Sequence, residues 1–249
     1  MAVCQPTMIY KYISKNAIDR LLEKRTLNFT RIDKWEDVYE GIMLQVIMSL
    51  NPQLKSERER IAAIVPKMIY AQSWTYRAEE SNAMWKIFAG ESGARIGVYT
   101  SSICRLIKNN LPDNFDMIEP ESVSYNGPTT VFETDVENIE SALLHKNIAY
   151  DYEHEYRFGI YNKGQWSKLK NIICETDVDK VTELLNEIEN EVKLNDEYWC
   201  YRVEVDTIRE MMLRYDISEN EYQEINSKCR KLGFKLPCVS NLHDKGLNF

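Results

Sequence analysis

The sequence predicts an α+β fold: a mixed or antiparallel sheet with flanking helices, in one compact domain. Three observations carry this. Stretches with strand alternation and stretches with helical spacing follow one another without the strict βαβ rhythm of a doubly wound fold. No segment rich in Pro, Gly or Ser divides the 249 residues and no internal repeat is found, so residues 1–249 read as a single domain. Apolar residues make up 44%, enough for a core, and charged residues at 28% suit a soluble surface.

The elements follow in order. Residues 8–12 read as an aromatic strand, and Ser14 is placed to cap a helix in which Ala17, Ile18, Leu21 and Leu22 share one face. Residues 26–30 form a second strand, and the polar, aromatic run Trp35-Glu36-Asp37-Val38-Tyr39-Glu40-Gly41 a loop. Residues 42–50 and 56–65 look helical, separated at Asn51-Pro52 because proline interrupts the hydrogen-bond ladder. A strand over 68–74 precedes a serine-capped helix over 81–88, broken by Gly90 and Gly93. Then come a strand over 94–99, a helix over 101–109 and an extended stretch over 117–125 ending in the turn Asn126-Gly127-Pro128. Asp135 caps a helix carrying Ile139, Ala142 and Leu143, which leads to a strand over 152–161. Val178, Val181, Leu185, Ile188 and Val192 recur at spacings of three and four, the stripe of an amphipathic helix expected to pack on the sheet. A strand over 198–206 follows. Ser218-Glu219-Asn220-Glu221 matches a capping box, Tyr222, Ile225, Cys229 and Leu232 line the helix, and Gly233 stops it before a last strand over 234–240.

Composition excludes several functions. No apolar run approaches the roughly 18–20 residues that span a bilayer. The opening Met-Ala-Val-Cys-Gln-Pro lacks the basic and apolar regions of a secretory signal, so a cytoplasmic location is expected. The six cysteines are scattered without a CxxC pair and are expected to be reduced. Three histidines without HxxxH or HExxH spacing argue against a zinc site. With 31 Lys and Arg against 39 Asp and Glu, the net charge is −8, which disfavours non-specific nucleic-acid binding.

Four segments are denser in polar and aromatic residues than packing needs. In Tyr10-Lys11-Tyr12 the tyrosines face one side of a strand and the lysine the other. Asp37 and Glu40 in the second segment could hold a metal or a ribose, or order their own turn. Trp85 and Phe88, three apart after Ser73-Trp74-Thr75, read as core or as an aromatic wall for a planar ligand. The fourth is Tyr152-Glu153-His154-Glu155-Tyr156-Arg157-Phe158. As a strand it puts Glu153, Glu155 and Arg157 on one face, with Tyr152, His154, Tyr156 and Phe158 on the other. Facing water, the charged face is an ordinary ladder; lining a cleft, it places two carboxylates beside a guanidinium.

Taken with Met84-Trp85, Gly93-Ala94-Arg95-Ile96 and Lys146 through Arg157, these segments resemble a bacterial family, number twenty-nine seventy-one among the domains of unknown function. That family shows a lysine-tyrosine strand, an Asn-Asp-Pro-Phe-Glu loop, a Met-Trp helix, and a Glu-x-Glu-x-Arg strand preceded by lysine and tryptophan. Asp37, Glu40, Trp85, Lys146, Glu153, Glu155 and Arg157 keep the pattern, whereas Glu36, Val38, Phe88 and Tyr150 depart from it. The resemblance implies a shared site and no settled activity.

The order of elements also resembles the plan of ADP-ribosyltransferases: an aromatic-basic first strand, a hydroxyl on the second (Thr30), aromatics midway and a glutamate on a late strand. It implies NAD as a substrate. Glu155 or Glu153 would stabilise the ribosyl cation, Tyr12 or Trp85 would stack on the cofactor, and Tyr10, Lys11, Asp37, Glu40 and Arg157 would line the site. On this reading Glu155→Gln is expected to fold like the parent and lose activity. The alternative is a non-catalytic nucleotide- or protein-binding module in a bacterial stress or antiphage system, holding an anion or other small molecule through Lys11, Lys146 and Arg157. A metal-dependent nuclease using Asp37, Glu40 and Glu155 is disfavoured by the acidic surface, and no resident metal is expected.

Overall fold

The structure, a computed structural model, describes residues 7–35, 54, 56–126 and 143–242. In chain order, β1 (Met8–Ile13), α1 (Lys15–Lys24) and β2 (Thr26–Arg31) come first, then α2 (Arg58–Ile64) and β3 (Ile69–Thr75). A helical turn, Asn82–Met84, runs into a π-turn, Trp85–Ala89, ahead of β4 (Ala94–Tyr99) and α3 (Thr100–Asn110). Next are β5 (Phe115–Ser122), β6 (Ser124–Asn126), β7 (His145–Asn147), a 3₁₀ turn at Ile148–Glu153, and β8 (Glu155–Asn162). The last third holds α4 (Lys163–Cys174), α5 (Val178–Val192), β9 (Tyr198–Arg202), β10 (Glu210–Leu213), α6 (Glu219–Leu232) and β11 (Cys238–Val239). The mixture of helices with mainly antiparallel strand pairs is the expected α+β class.

The chain gathers into two compact units, each built from several sequence segments. One comprises Met1–Leu27, Trp74–Asn110 and Cys200–Phe249. Its strands run β11-β10-β4-β1: β1 pairs antiparallel with β4 from Met8↔Tyr99 to Ile13↔Ala94, β4 antiparallel with β10, and β10 parallel with β11. Helices α1, α3 and α6 bury Ile18, Leu21, Leu22, Ile103, Ile107, Ile225 and Cys229.

The other unit comprises Asn28–Ser73 and Leu111–Trp199. Here β2 pairs antiparallel with β3 at Thr30↔Ala71, β3 pairs with β8, and β8 antiparallel with β5 across a register shift between Ile118 and Glu121. The short β6 and β7 pair in parallel. The core joins Ile61, Ile64 and Val65 with Ile69 and Ala71 of β3, Trp166, Leu169, Ile172 and Ile173 of α4, and Val181, Leu185, Ile188 and Val192 of α5.

Several expectations change. The stripe on α5 is buried, apart from Val178, but packs chiefly on α4 and α2 rather than on the sheet. Helix α4 supplies that surface. Its signals are the Asn162 side chain, which accepts from the Gly164 and Gln165 amides, and apolar residues at 166, 169, 172 and 173. The strand over 152–161 begins only at Glu155, because residues 148–153 wind into a 3₁₀ turn capped by the Asn147 side chain and closed by left-handed His154 (φ 44°). The helix over 81–88 is mostly a π-turn; its wider winding buries Trp85 and Ala89 while leaving Phe88 42% exposed. Ser14 occupies the cap position of α1 without a side-chain bond. The strand over 198–206 stops at Arg202, and of residues 234–240 only Cys238–Val239 pair as a strand. The helices expected over 42–50 and from Asp135 fall outside the described residues.

Candidate functional site

Strand β8 is where charge goes inside. Two residues apart, Glu155 and Arg157 point the same way, and Gly159 follows on that face. A Cβ at Gly159 would lie 2.4 Å from Leu143 Cδ2 and 2.7 Å from Ile118 Cδ1, so the glycine makes room for Leu143 to settle. Leu143 in turn offers its carbonyl to Arg157 Nη1 at 2.8 Å. The backbone at Glu155 is fixed on both sides: its N–H donates to the Tyr125 hydroxyl (2.7 Å) and its carbonyl accepts from Val123 N (2.9 Å).

Arg157 Nε and Nη2 both donate to Glu155 Oε2, at 3.1 and 2.5 Å. Lys146 on β7 donates to Glu153 Oε2 at 2.8 Å and stands 3.6 Å from Glu155 Oε2. Two cations and two carboxylates form a neutral quartet, all of it buried: Arg157 is 1% exposed and Glu155 4%. Each cation also carries an aromatic ring on one side. Arg157 Cζ is 4.9 Å from the Trp35 ring centroid and Lys146 Nζ is 4.6 Å from that of Tyr150. Such contacts strengthen when water is excluded.

Burial alone would push the Glu155 carboxyl up. The charges of Arg157 and Lys146, with hydrogen bonds from Ser73 and Arg157, outweigh it and hold the carboxyl below its ordinary range. Burial likewise raises the Tyr125 hydroxyl and lowers His145, keeping both neutral near pH 7. The quartet is therefore a water-poor centre in which Glu155 is held as the carboxylate, with the Ser73 hydroxyl bonded to it. Tyr152, 37% exposed, stands beside it with Glu153 among the groups that raise its hydroxyl, after burial.

The candidate residues are distributed as follows. Glu153, Glu155 and Arg157 meet, although Glu153 comes from the 3₁₀ turn and not from the strand. Tyr10, Lys11, Tyr12 and Trp85 belong to the other unit, where Tyr12 and Trp85 share a buried cluster with Met84 and Ala89. There Tyr12 and Trp85 meet edge to face (5.0 Å, 88°), the Tyr12 hydroxyl accepts from Ser81 N, and Trp85 Nε1 donates to Glu80 Oε2, which also accepts from the Ser240 hydroxyl. Trp85 is fully enclosed, so neither of its faces is open for a planar ligand. Tyr10 covers Arg95, whose Cζ is 4.5 Å from the ring and whose Nη2 donates to Glu210. Lys11 Nζ is 5.8 Å from the Trp74 ring centroid. Asp37 and Glu40 fall outside the described residues; in sequence they follow Trp35 by two and five positions.

Sequence reasoning gave no site role to Trp35, Ser73, Tyr125, Leu143 or Tyr150; Tyr150 entered only as a departure from the resembled family and Leu143 only as an apolar helix residue. Trp35 and Ser73 lie in segments chosen for density of polar and aromatic residues, but nothing local says that they contact Arg157 and Glu155. Among the described residues no group of His, Cys, Asp and Glu is arranged to hold a metal ion, and no helix is long and apolar enough to cross a membrane. No family model, curated protein or solved structure matches the chain.

Proposed function

We propose that the chain is an ADP-ribosyltransferase-like enzyme acting on NAD, with Glu155 as its working carboxylate and Glu153 in support. The observation that supports this is the state of Glu155: buried, ionised against its own desolvation, and anchored by Arg157 and Lys146 on a single oxygen. Breaking the bond between nicotinamide and ribose leaves positive charge on the sugar. A carboxylate already oriented and already stripped of water stabilises that charge without reorganising, which is the main source of electrostatic catalysis. Nicotinamide departs with the bonding electrons, and a nucleophile, water or an acceptor side chain, then closes on the ribose carbon.

The same geometry counts against the anion-binding alternative. Lys146 and Arg157 already face Glu153 and Glu155, so a phosphate would have to displace a carboxylate from each. The test is NAD consumption by Glu155→Asp and Glu153→Gln. Aspartate keeps the charge beside Arg157 but withdraws it by one methylene. Turnover should fall by about 10²-fold or more for Glu155→Asp, the scale seen when a preorganised stabilising group is misplaced, and less for Glu153→Gln. A parent that binds NAD without consuming it would point to the binding module instead. A Glu155→Asp variant as active as the parent would remove Glu155 from the chemistry.

A further inference from the structure

We propose that Trp35 is a positioning residue of the carboxylate centre: by holding the plane of the Arg157 guanidinium it fixes where the Glu155 carboxylate stands. A guanidinium has five N–H donors in its plane and two open faces. In Arg157 the in-plane donors are directed by Glu155 on one edge and the Leu143 carbonyl on another. These bonds still allow the plane to tilt about the line joining them. The ring of Trp35, 4.9 Å from Cζ, opposes that tilt. Trp35 is itself held: its N–H donates to Ile32 O at 3.0 Å, closing the 3₁₀ turn Ile32–Lys34, and its ring packs on the core that contains Ile32.

Tyr150 plays the corresponding part at Lys146, and the difference between the two pairs gives the inference its specificity. Lys146 bonds Glu153 at 2.8 Å and stands further, 3.6 Å, from Glu155, so Tyr150 acts mainly on Glu153. Besides burial, the groups that set the ionisation of Glu155 are Arg157 on its own strand, Lys146 from β7 and Ser73 from β3; Glu153 shares Lys146 with it, and the Tyr125 hydroxyl takes its backbone N–H. Trp35 touches only the first of these in the contacts described above, yet Arg157 is the largest of the stabilising influences on the carboxylate.

The consequence for turnover rests on the reading of Glu155 as the working carboxylate; the consequence for the carboxylate itself does not. The experiment uses Trp35→Met, which keeps an apolar side chain of adaptable shape without an aromatic face, and Trp35→Phe, which keeps a flat ring. Tyr150→Met is the control. Carbon-13 NMR of the glutamate carboxyls is followed against pH in the intact chain, with NAD turnover measured across the same range. Trp35→Met should raise the Glu155 midpoint by about half to one pH unit, roughly a three- to tenfold change in proton affinity. Trp35→Phe should stay near the parent, and Tyr150→Met should move Glu153 more than Glu155. Equal midpoints for Trp35→Met and Trp35→Phe would overturn the proposal, whatever happens to turnover. A shifted midpoint with an unshifted acid limb of turnover would uphold the positioning role and reject Glu155 as the working carboxylate.

Discussion

Arg157 makes every in-plane contact described for it with buried groups, and this sets what substitution at its partner does. The expectation that Glu155→Gln folds like the parent assumed an exposed or cleft-lining pair. With Glu155 4% and Arg157 1% exposed, the amide leaves a buried cation without its counter-charge. Removing one partner of a buried pair costs about 3–5 kcal/mol. Glu155→Gln is therefore expected to melt well below the parent, and chemical denaturation of the two proteins measures the difference. The pH dependence follows with its sign. The folded-state carboxyl lies below its unfolded value of about 4.3, so the stabilisation is complete above that value and is lost as pH falls through the lowered folded one. Glu175 and Glu221, both held at about 2 by hydrogen bonds led by those of Lys180 and Lys15, lose theirs in the same acid window. The parent should thus lose stability steeply below about pH 4.3, and Glu155→Gln less steeply, because one of the titrating groups is gone.

At the scale of the element, two serines that look alike in sequence differ in use. Ser218 caps α6: its hydroxyl accepts from Glu221 N and donates to Glu221 Oε2. Ser14 stands at the same position before α1 with no side-chain bond to the helix. Ser218→Ala should cost about 1 kcal/mol, a normal cap loss, and Ser14→Ala only a few tenths; thermal melting of the two variants tests the contrast. Much of this level was legible in the sequence. The capping box, the Gly233 stop with φ 81° and the α5 stripe follow from local periodicity and caps. What periodicity could not give is the 3₁₀ turn at Ile148–Glu153. Its alternation of Tyr, Glu and His imitates a strand until Asn147 and His154 set the backbone otherwise. The π-turn at Trp85–Ala89 escaped for a related reason, since a spacing of three is read as one face only if the winding is 3.6 residues per turn. Gly93 sits under that turn, where a Cβ would fall 2.2 Å from the Ala89 carbonyl oxygen.

At the scale of the whole molecule the pattern of charge burial stands out. Among the described residues, three aromatic–cation–carboxylate groupings are inside: Trp35–Arg157–Glu155, Tyr150–Lys146–Glu153 and Tyr10–Arg95–Glu210, the last with Glu210 partly exposed. Sequence density marked the segments that supply Tyr10, Trp35, Glu153, Glu155 and Arg157, whereas Arg95, Lys146 and Tyr150 entered through the family resemblance and Glu210 not at all. It could not mark the pairings, since Trp35 meets Arg157 and Tyr10 meets Arg95 only through tertiary folding. Cysteine chemistry is simpler. None of Cys104, Cys174, Cys200, Cys229 and Cys238 is in a disulfide, and Cys229 is buried against Met211 with its thiol pushed up to about 11 by burial. Reductant should leave the melting temperature where it was, whereas losing a native disulfide would cost about 2–5 kcal/mol and lower it by several degrees.

The way the two units share the chain bears on how the protein can be taken apart. Strands β2, β3 and β9 each begin in one unit and end in the other. A cut anywhere in the sequence therefore leaves at least one unit missing a segment of itself. Serial truncation, the usual way to map an activity to a region, damages a unit at every cut; a stop just after Trp199 leaves all segments of the second unit in place, but without the end of β9. Mapping has to proceed by substitution within the intact chain. By the same logic a chain stopped between Cys200 and β11 is expected to lose the unit that holds β1, β4 and β10, and not merely its last strand.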